Sequence, residues 1–192
     1  MSISVDPRTD ALIVVDVQRD FCPGGSLPVP DGDRVISAIN RVLAIGHWFT
    51  VATRDWHPPD HCSFTSQGGI WPVHCVAGTP GAAFHPALDA MRIQHIVSKA
   101  TTRDAEAYSG FQGTDLVTLL RGRGIRRVFV TGLATDYCVK ATAVDARKAG
   151  FDVVVLEDAI RGVEVKPGDC ARAIEEMTVA GIRLAKASDL AG

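Results

Sequence analysis

Short apolar runs of strand length alternate along the chain with segments whose apolar residues follow a helical spacing. Residues 11–15, Ala-Leu-Ile-Val-Val, form a continuous aliphatic run typical of a strand that is buried on both faces. Residues 33–45 have apolar side chains at helical spacing, with Asp33 as the expected N-cap. The same alternation predicts further strands at 48–53, 95–97, 127–131, 151–156 and 182–185, and further helices at 116–120, 136–149 and 169–180.

Two of these helices carry recognisable end signals. Thr114 and Asp115 are the cap candidates for helix 116–120, and Gly150 is expected to end helix 136–149. Regular alternation of strands and helices predicts an α/β fold with a mostly parallel sheet covered on both faces. The 192 residues contain no repeat or low-complexity segment, so we expect one domain over residues 1–192 with a substantial core.

Polar residues follow several of the predicted strands. Asp16, Asp55, Lys99 and the turn 132–138 each stand at or just after the end of a strand. Because functional residues of such sheets cluster at the carboxyl ends of the strands, we expect these residues to form one site.

A candidate metal site follows the second predicted strand. Three of the chain's six histidines fall between residues 55 and 74, together with Asp55. Asp55 and His57 alternate, so in an extended segment both side chains point the same way. His61 and His74 could complete the ligand set, since histidine and aspartate are common ligands of divalent metals. The alternative is that these histidines are surface or capping residues of a turn made by two prolines.

The cysteines suggest a nucleophile. Their number is odd and no C-x-x-C pair occurs, which favours free thiols in a reducing compartment. Cys138 enters the first turn of a predicted helix, where free N–H groups and the helix dipole lower a thiol pKa. The alternative is a buried cysteine that packs a strand–helix junction. The remaining cysteines are Cys22, Cys62, Cys75 and Cys170.

Other roles are open for some of these residues. Cys62 and Cys75 lie beside the metal candidates, and zinc accepts thiolate ligands. Cys22 and Cys170 are expected to have only a structural packing role. Asp16 and Lys99 are weak candidates singly, because one could cap a strand and the other could be a surface charge. Together they offer a carboxylate beside a cation, which suits the transfer of a proton from a thiol to a leaving amine.

Composition excludes several classes of partner. The net charge is −2 and no run of lysine and arginine occurs, which argues against nucleic acid. Residues 1–10 lack the layout of a signal peptide, and the longest apolar runs are of strand length, so no membrane span is expected. We expect a cytoplasmic protein that acts on a small molecule. The sequence leaves open whether it is a monomer or a homo-oligomer.

Five segments, in order, resemble the nicotinamidase/pyrazinamidase branch of the isochorismatase-like cysteine hydrolases. They are V-V-D-V-Q-R-D-F (14–21), D-W-H-P-P-D-H (55–61), W-P-V-H-C (71–75), Y-S-G-F (108–111) and G-L-A-T-D-Y-C-V (132–139). The resemblance implies a three-layer αβα fold with a six-stranded parallel sheet. It also implies hydrolysis of nicotinamide to nicotinate and ammonia in NAD salvage through a cysteine thioester, with pyrazinamide as an alternative substrate.

The resemblance assigns catalytic roles to particular residues. Cys138 is the nucleophile, Asp16 the proton shuttle and Lys99 the cation that keeps Asp16 ionised. The Leu133–Ala134 peptide is expected to be cis, with the N–H groups of Ala134 and Cys138 facing the oxyanion.

The resemblance also implies a metal and a ring pocket. Asp55, His57 and His74 would bind one divalent ion (Zn, Fe or Mn) that anchors the pyridine nitrogen, with His61 as an additional ligand. Phe21, Trp71 and Tyr108 are candidates to pack the ring, although core packing explains each of them equally well.

Two other functions compete with this interpretation. Another hydrolase of the same superfamily would act on isochorismate or a carbamoyl amide and would need no metal. A catalytically silent metal-binding or interaction module would have a Cys138 thiol of ordinary pKa.

Overall fold

The computed structural model describes residues 2–191 of the chain. Along the described residues the strands are β1 (Ile3–Ser4), β2 (Asp10–Val15), β3 (Phe49–Asp55), β4 (His95–Lys99), β5 (Arg127–Leu133), β6 (Asp152–Arg161), β7 (Arg183–Ala185) and β8 (Leu190–Ala191). The α-helices are α1 (Val35–Ile45), α2 (Leu116–Gly122), α3 (Lys140–Lys148) and α4 (Asp169–Val179).

The main sheet has six strands in the order β4-β3-β2-β5-β6-β7, and every neighbouring pair is parallel. The predicted α/β class and parallel sheet are confirmed. Strand order runs outward in both directions from the central pair β2 and β5. A crevice forms beyond the carboxyl ends of strands at such a switch point, and ligands bind there in open α/β sheets.

Helices cover both faces of the sheet, as predicted for a three-layer fold. The apolar face of α1 packs on one side with Trp48 and Phe129, whose rings meet edge to face with centroids 5.2 Å apart. Helices α2, α3 and α4 pack on the other side against the second apolar layer. All six residues of β2 are buried, which explains why its sequence is continuously apolar after Asp10.

The structure corrects several predicted boundaries. Asp33 is not a helix cap, because it lies within a 3₁₀ turn (Gly32–Arg34) and α1 begins after Arg34 without a side-chain cap. Strand β6 continues to Arg161, beyond the predicted end at 156, and its register with β5 shifts between Val130 and Gly132. The short parallel pair β1–β8 was not predicted, because two residues are too few to show a period.

The remaining end signals behave as expected. Of the two cap candidates of α2, Asp115 holds the N-cap position without a capping hydrogen bond from its side chain, and the backbone N–H of Leu116 donates to Thr114 Oγ1 at 3.3 Å. Gly150 follows α3 with a φ of 91°. Within residues 2–191, every helix is too short or too polar to cross a lipid bilayer.

Candidate active site

The strand ends bring four of the predicted residues together. Asp16 directly follows β2, Asp55 and Lys99 are the last residues of β3 and β4, and Cys138 lies in the turn that follows β5. Asp55 and Lys99 are also partners in the register between their strands. The carboxyl ends of four parallel strands therefore converge on one point, as the sequence predicted.

Lys99 is the centre of this cluster. Its Nζ lies 3.0 Å from Asp16 Oδ2 and 3.5 Å from Cys138 Sγ, and it donates a hydrogen bond to Asp55 Oδ1. It also donates to the carbonyl oxygen of Ala107 at 3.1 Å. Lys99 is only 1 % exposed and Asp16 is fully buried, so their ion pair lies away from bulk solvent, where an unpaired charge is costly.

Burial and the charge of neighbouring groups shift the pKa values of these residues in opposite directions. Burial is the largest influence on Asp16 and Cys138 and raises the pKa of both, while the positive charge of Lys99 opposes the rise. Burial alone would lower the pKa of Lys99, but the two carboxylates outweigh it and raise that pKa well above its ordinary value. The expectation that the helix end lowers the Cys138 pKa is therefore wrong. A buried thiol stays protonated at rest and needs a base.

Cys138 sits on a π-helical turn, Thr135–Val139, that connects β5 to α3. The approach to this turn requires Gly132, because its φ is 110° and a side chain there would meet the Val15 carbonyl oxygen at 2.0 Å. The Leu133–Ala134 peptide is cis, as expected. Ala134 and Cys138 both line the same small cavity.

Asp55, His57 and His74 form a second group beside Lys99. Their nearest ligand atoms all lie within 4.8 Å of one another, and all three residues are buried. His57 Nδ1 lies 3.1 Å from the Ala100 carbonyl oxygen and His74 Nδ1 lies 2.7 Å from that of Pro72. Because a carbonyl only accepts, each Nδ1 carries the proton and each Nε2 keeps its lone pair.

These three residues fit a divalent metal ion. The Nε2 atoms of His57 and His74 lie 3.6 Å and 4.0 Å from Asp55 Oδ2, and His57 Nε2 is buried with no hydrogen-bond partner among residues 2–191. Burial lowers the pKa of His74, and burial outweighs neighbouring groups that act the other way. The lowered pKa of His74 therefore favours the neutral imidazole that a metal needs. Carbonyl groups that fix the ring tautomer are typical of metal-binding histidines.

His61 lies beside this group, but neither of its ring nitrogens is free to bind an ion there. Its ring stacks on that of His57 with centroids 4.2 Å apart. Its Nε2 lies 3.2 Å from the Ala105 carbonyl oxygen and its Nδ1 lies 2.8 Å from Ser63 Oγ. Since Nε2 must donate to the carbonyl, both ring nitrogens are engaged in this conformation. Rotation of the ring would be required before His61 could bind an ion.

A second group of close ligand atoms consists of Asp16, Asp55 and Cys138, again within 4.8 Å of one another. The ammonium group of Lys99 lies among them and supplies the positive charge. Within residues 2–191 neither Cys62 nor Cys75 belongs to a group of close metal ligands. Burial, reinforced by nearby carboxylates, raises the pKa of Cys75 far above its ordinary value.

The cavity above Cys138 is walled by aromatic rings. The predicted ring-packing residues Phe21, Trp71 and Tyr108 all line it. Trp71 Nε1 donates to the Tyr108 hydroxyl at 3.0 Å, and the ring of Phe21 lies 5.5 Å from that of His74. Cys138, Asp55 and His74 face the same cavity, so the candidate nucleophile, two of the three candidate metal ligands and the aromatic walls share one space.

Sequence reasoning missed several residues of this cavity. Tyr137 contributes a fourth aromatic ring, 5.1 Å from Trp71 and 5.7 Å from Tyr108. Its position next to Cys138 was a signal that could have found it. The other missed lining residues are Leu27, Val29, Glu106 and Val163. They come from loops and strand ends distant in sequence, which no local pattern connects.

Comparison with known proteins agrees with this geometry. The isochorismatase domain model matches residues 10–188. The nicotinamidase/pyrazinamidase of Mycobacterium tuberculosis is 45 % identical over 184 residues, which cover 91 % of this chain and 97 % of the relative.

Two solved structures extend the comparison. A pyrazinamidase of Pyrococcus horikoshii in complex with zinc is 54 % identical with a TM-score of 0.86, covering 92 % of this chain and 98 % of that one. An L. infantum protein in complex with nicotinate is 43 % identical with a TM-score of 0.95, covering 100 % of this chain and 99 % of that one. The chain belongs to the isochorismatase domain family.

Proposed function

We propose that this protein hydrolyses nicotinamide to nicotinate and ammonia, and pyrazinamide to pyrazinoate in the same way. One observation carries the proposal: Cys138 opens into an aromatic-walled cavity that Asp55 and His74 also line. A flat heteroaromatic amide needs these elements, namely aromatic faces for its ring, a ligand for its ring nitrogen and a nucleophile for its amide carbon. The names of the relatives support the same reaction.

The thiol of Cys138 is activated by Asp16. The carboxylate of Asp16 takes the proton from Sγ, and the sulfur forms a bond to the amide carbon. Asp16 then gives the proton to the departing nitrogen, so the C–N bond breaks and ammonia leaves. Water attacks the thioester carbon and loses one proton to Asp16, which passes it to the sulfur as the C–S bond breaks. The nicotinic acid that forms loses its carboxyl proton to ammonia or solvent and leaves as nicotinate. Lys99 stabilises the negative charge that Asp16 and Cys138 exchange.

The oxyanion of the tetrahedral intermediate is assigned to the backbone N–H groups of Ala134 and Cys138. Both residues line the cavity beside the sulfur. Donors fixed before the reaction stabilise developing charge without reorganisation, and one such donor typically contributes about a hundredfold to a thousandfold in rate.

Asp55, His57 and His74 would hold one divalent metal ion, and His61 would join them after rotation of its ring. When bound, the ion would anchor the pyridine nitrogen and orient the amide toward Cys138. Mixed nitrogen and oxygen ligands suit zinc, iron or manganese, and the zinc complex of the Pyrococcus horikoshii relative favours zinc. Phe21, Trp71 and Tyr108 would pack the ring and exclude water.

Further features support the wider assignment. The family match over residues 10–188 supports one domain over residues 1–192. All five cysteines are free thiols, which suits a reducing compartment such as the cytoplasm. The product nicotinate would enter NAD salvage.

The experiment is ammonia release from nicotinamide by the purified protein, before and after chelator treatment, with add-back of Zn²⁺, Fe²⁺ or Mn²⁺. Activity that falls with chelator and returns with metal supports both the amidase and the Asp55–His57–His74 site. Activity of a verified metal-free protein would contradict the metal's role. No ammonia from nicotinamide or pyrazinamide, with turnover of isochorismate or a carbamoyl amide instead, would establish the competing hydrolase.

A further inference from the structure

Thr53 contacts Asp16 through both its backbone and its side chain. Its hydroxyl donates to Asp16 Oδ1 at 2.6 Å, and its carbonyl oxygen accepts the Asp16 N–H at 3.2 Å. Both residues are fully buried. Asp16 also has a φ of 49°, which a non-glycine residue adopts only when its surroundings hold it there.

The two oxygens of Asp16 therefore have different surroundings. Oδ1 accepts from Thr53, whereas Oδ2 lies 3.0 Å from Lys99 Nζ but has no hydrogen bond of good geometry within residues 2–191. A lone pair on Oδ2 stays available for a proton. The ligand atoms of Asp16 and Cys138 lie within 4.8 Å of each other, so this proton can come from the thiol.

Gly110, the glycine of the Y-S-G-F segment, leaves the space that the methyl group of Thr53 occupies in this rotamer. A Cβ atom at position 110 would meet Thr53 Cγ2 at 2.7 Å, so only glycine lets the methyl group lie there. Gly110 itself is held by two threonines, because its N–H donates to Thr142 Oγ1 at 3.0 Å and its carbonyl accepts from Thr114 Oγ1 at 2.6 Å. With the methyl group placed against Gly110, the hydroxyl of Thr53 points at Asp16.

We propose that Thr53 is a positioning residue for catalysis: its hydroxyl, oriented by packing against Gly110, holds Asp16 Oδ1 and leaves Oδ2 as the atom that takes the Cys138 proton. The proposal rests on the proposed function. In the step concerned, the S–H bond breaks and an O–H bond forms at Oδ2, while the sulfur keeps the electron pair and attacks the amide carbon. Thr53 itself gains and loses no proton.

The test replaces the hydroxyl without changing the shape of the side chain. In Thr53→Val, kcat for nicotinamide falls about ten- to a hundredfold because a hydrogen bond to a charged group is lost. KM changes less than about threefold, since Thr53 does not line the cavity. Thr53→Ser keeps the hydroxyl and recovers most of kcat.

Thr131→Val is the matched control. Thr131 is equally buried, and its hydroxyl donates to the Ile13 carbonyl oxygen at 3.2 Å, on strands that also belong to the central sheet. This variant keeps the wild-type kcat within about twofold, because the bond it loses lies outside the site. A kcat loss that is equal in Thr53→Val and Thr131→Val, or absent from both, overturns the proposal. So does a Thr53→Ser variant as slow as Thr53→Val.

Gly110→Ala provides an independent variant if Thr53→Val does not fold. Its new methyl group pushes Thr53 away from Asp16, so kcat falls. The double variant Thr53→Ser/Gly110→Ala lacks the methyl group that is displaced and regains activity over Gly110→Ala alone. A double variant no faster than Gly110→Ala contradicts the packing step.

Alkylation of Cys138 by iodoacetamide separates this proposal from the proposed function. The rate at neutral pH, followed by mass spectrometry of the Cys138 peptide, reports proton removal without any substrate. It falls about tenfold in Thr53→Val and is unchanged in Thr131→Val. Equal rates in both variants overturn the role of Thr53 even if nicotinamide is hydrolysed. A slower rate only in Thr53→Val sustains it even if nicotinamide is not the substrate.

Discussion

The ammonium group of Lys99 donates a hydrogen bond to the carboxylate of Asp55. The sequence placed these residues in two separate sets, one for acid–base chemistry and one for metal binding. Their contact makes one polar cluster of both sets. The ammonium group of Lys99 therefore pairs with both Asp16 and Asp55. The ends of β3 and β4 fix the position of the candidate metal ligands relative to the candidate acid–base residues.

Removal of the Lys99 charge is expected to damage stability as well as activity. In Lys99→Met two buried carboxylates lose their only ammonium partner within residues 2–191, which costs about 3–5 kcal/mol in free energy of unfolding. Urea unfolding of the metal-loaded protein measures the loss. Lys140→Met is the control, because the half-exposed ion pair of Lys140 with Glu176 contributes less than about 1 kcal/mol. Losses of equal size in both variants would refute the compensation argument.

Replacement of Cys138 by alanine is expected to abolish ammonia release while the fold and the bound metal remain. The sulfur is the only nucleophile proposed for the amide carbon, so no covalent route survives. Cys170→Ala, which removes a thiol that does not line the cavity, keeps the activity. Ammonia release, far-ultraviolet circular dichroism and metal content of the three proteins check this. Turnover by Cys138→Ala near the wild-type rate would contradict the thioester mechanism.

The fold and the location of the site followed from local patterns. The continuous apolar run at residues 11–15 predicts a buried central strand. The polar residues that end the strands meet at one edge of the sheet because the strands are parallel. Asp16, Asp55, Lys99 and Cys138 were found in this way. The alternation of strands and helices depends only on near neighbours, which a sequence displays.

Features that depend on the tertiary environment could not be predicted from the sequence. The pKa of Cys138 is raised chiefly by burial, which outweighs the opposing charge of Lys99 and which a sequence does not display. The ring nitrogens of His61 are engaged by Ser63 and Ala105, and Ala105 is distant in sequence. In the sequence Thr53 is an ordinary strand residue. Its contacts with Asp16 and Gly110 could not be predicted, because both residues come from other segments.

The metal ligands are expected to contribute unequally. His57→Ala and His74→Ala each remove an Nε2 that faces Asp55, so both proteins lose most of their metal on dialysis against a weak chelator. His61→Ala lowers metal affinity by less than about a hundredfold, the upper range for a residue that supports a ligand. Elemental analysis after dialysis measures the three variants. If His61→Ala loses metal as readily as His57→Ala, His61 is a full ligand and its ring rotates on binding.

Alkaline pH is expected to destabilise the protein partly through Cys22. Burial, reinforced by the negative charge of Asp33, raises the pKa of Cys22 to about 11, whereas a thiol in the unfolded chain has a pKa of about 8.5. Below the unfolded pKa both states keep the proton, and the contribution of Cys22 to the free energy of unfolding is fully present. As pH rises from about 8.5 toward 11 the unfolded state releases the proton first, so this contribution is lost, by at most about 3.4 kcal/mol. Urea unfolding from pH 7 to 10.5 therefore shows a constant difference between wild type and Cys22→Ala up to about pH 8, above which wild type loses stability faster. A difference that stays constant across the whole range would show that Cys22 ionises alike in both states.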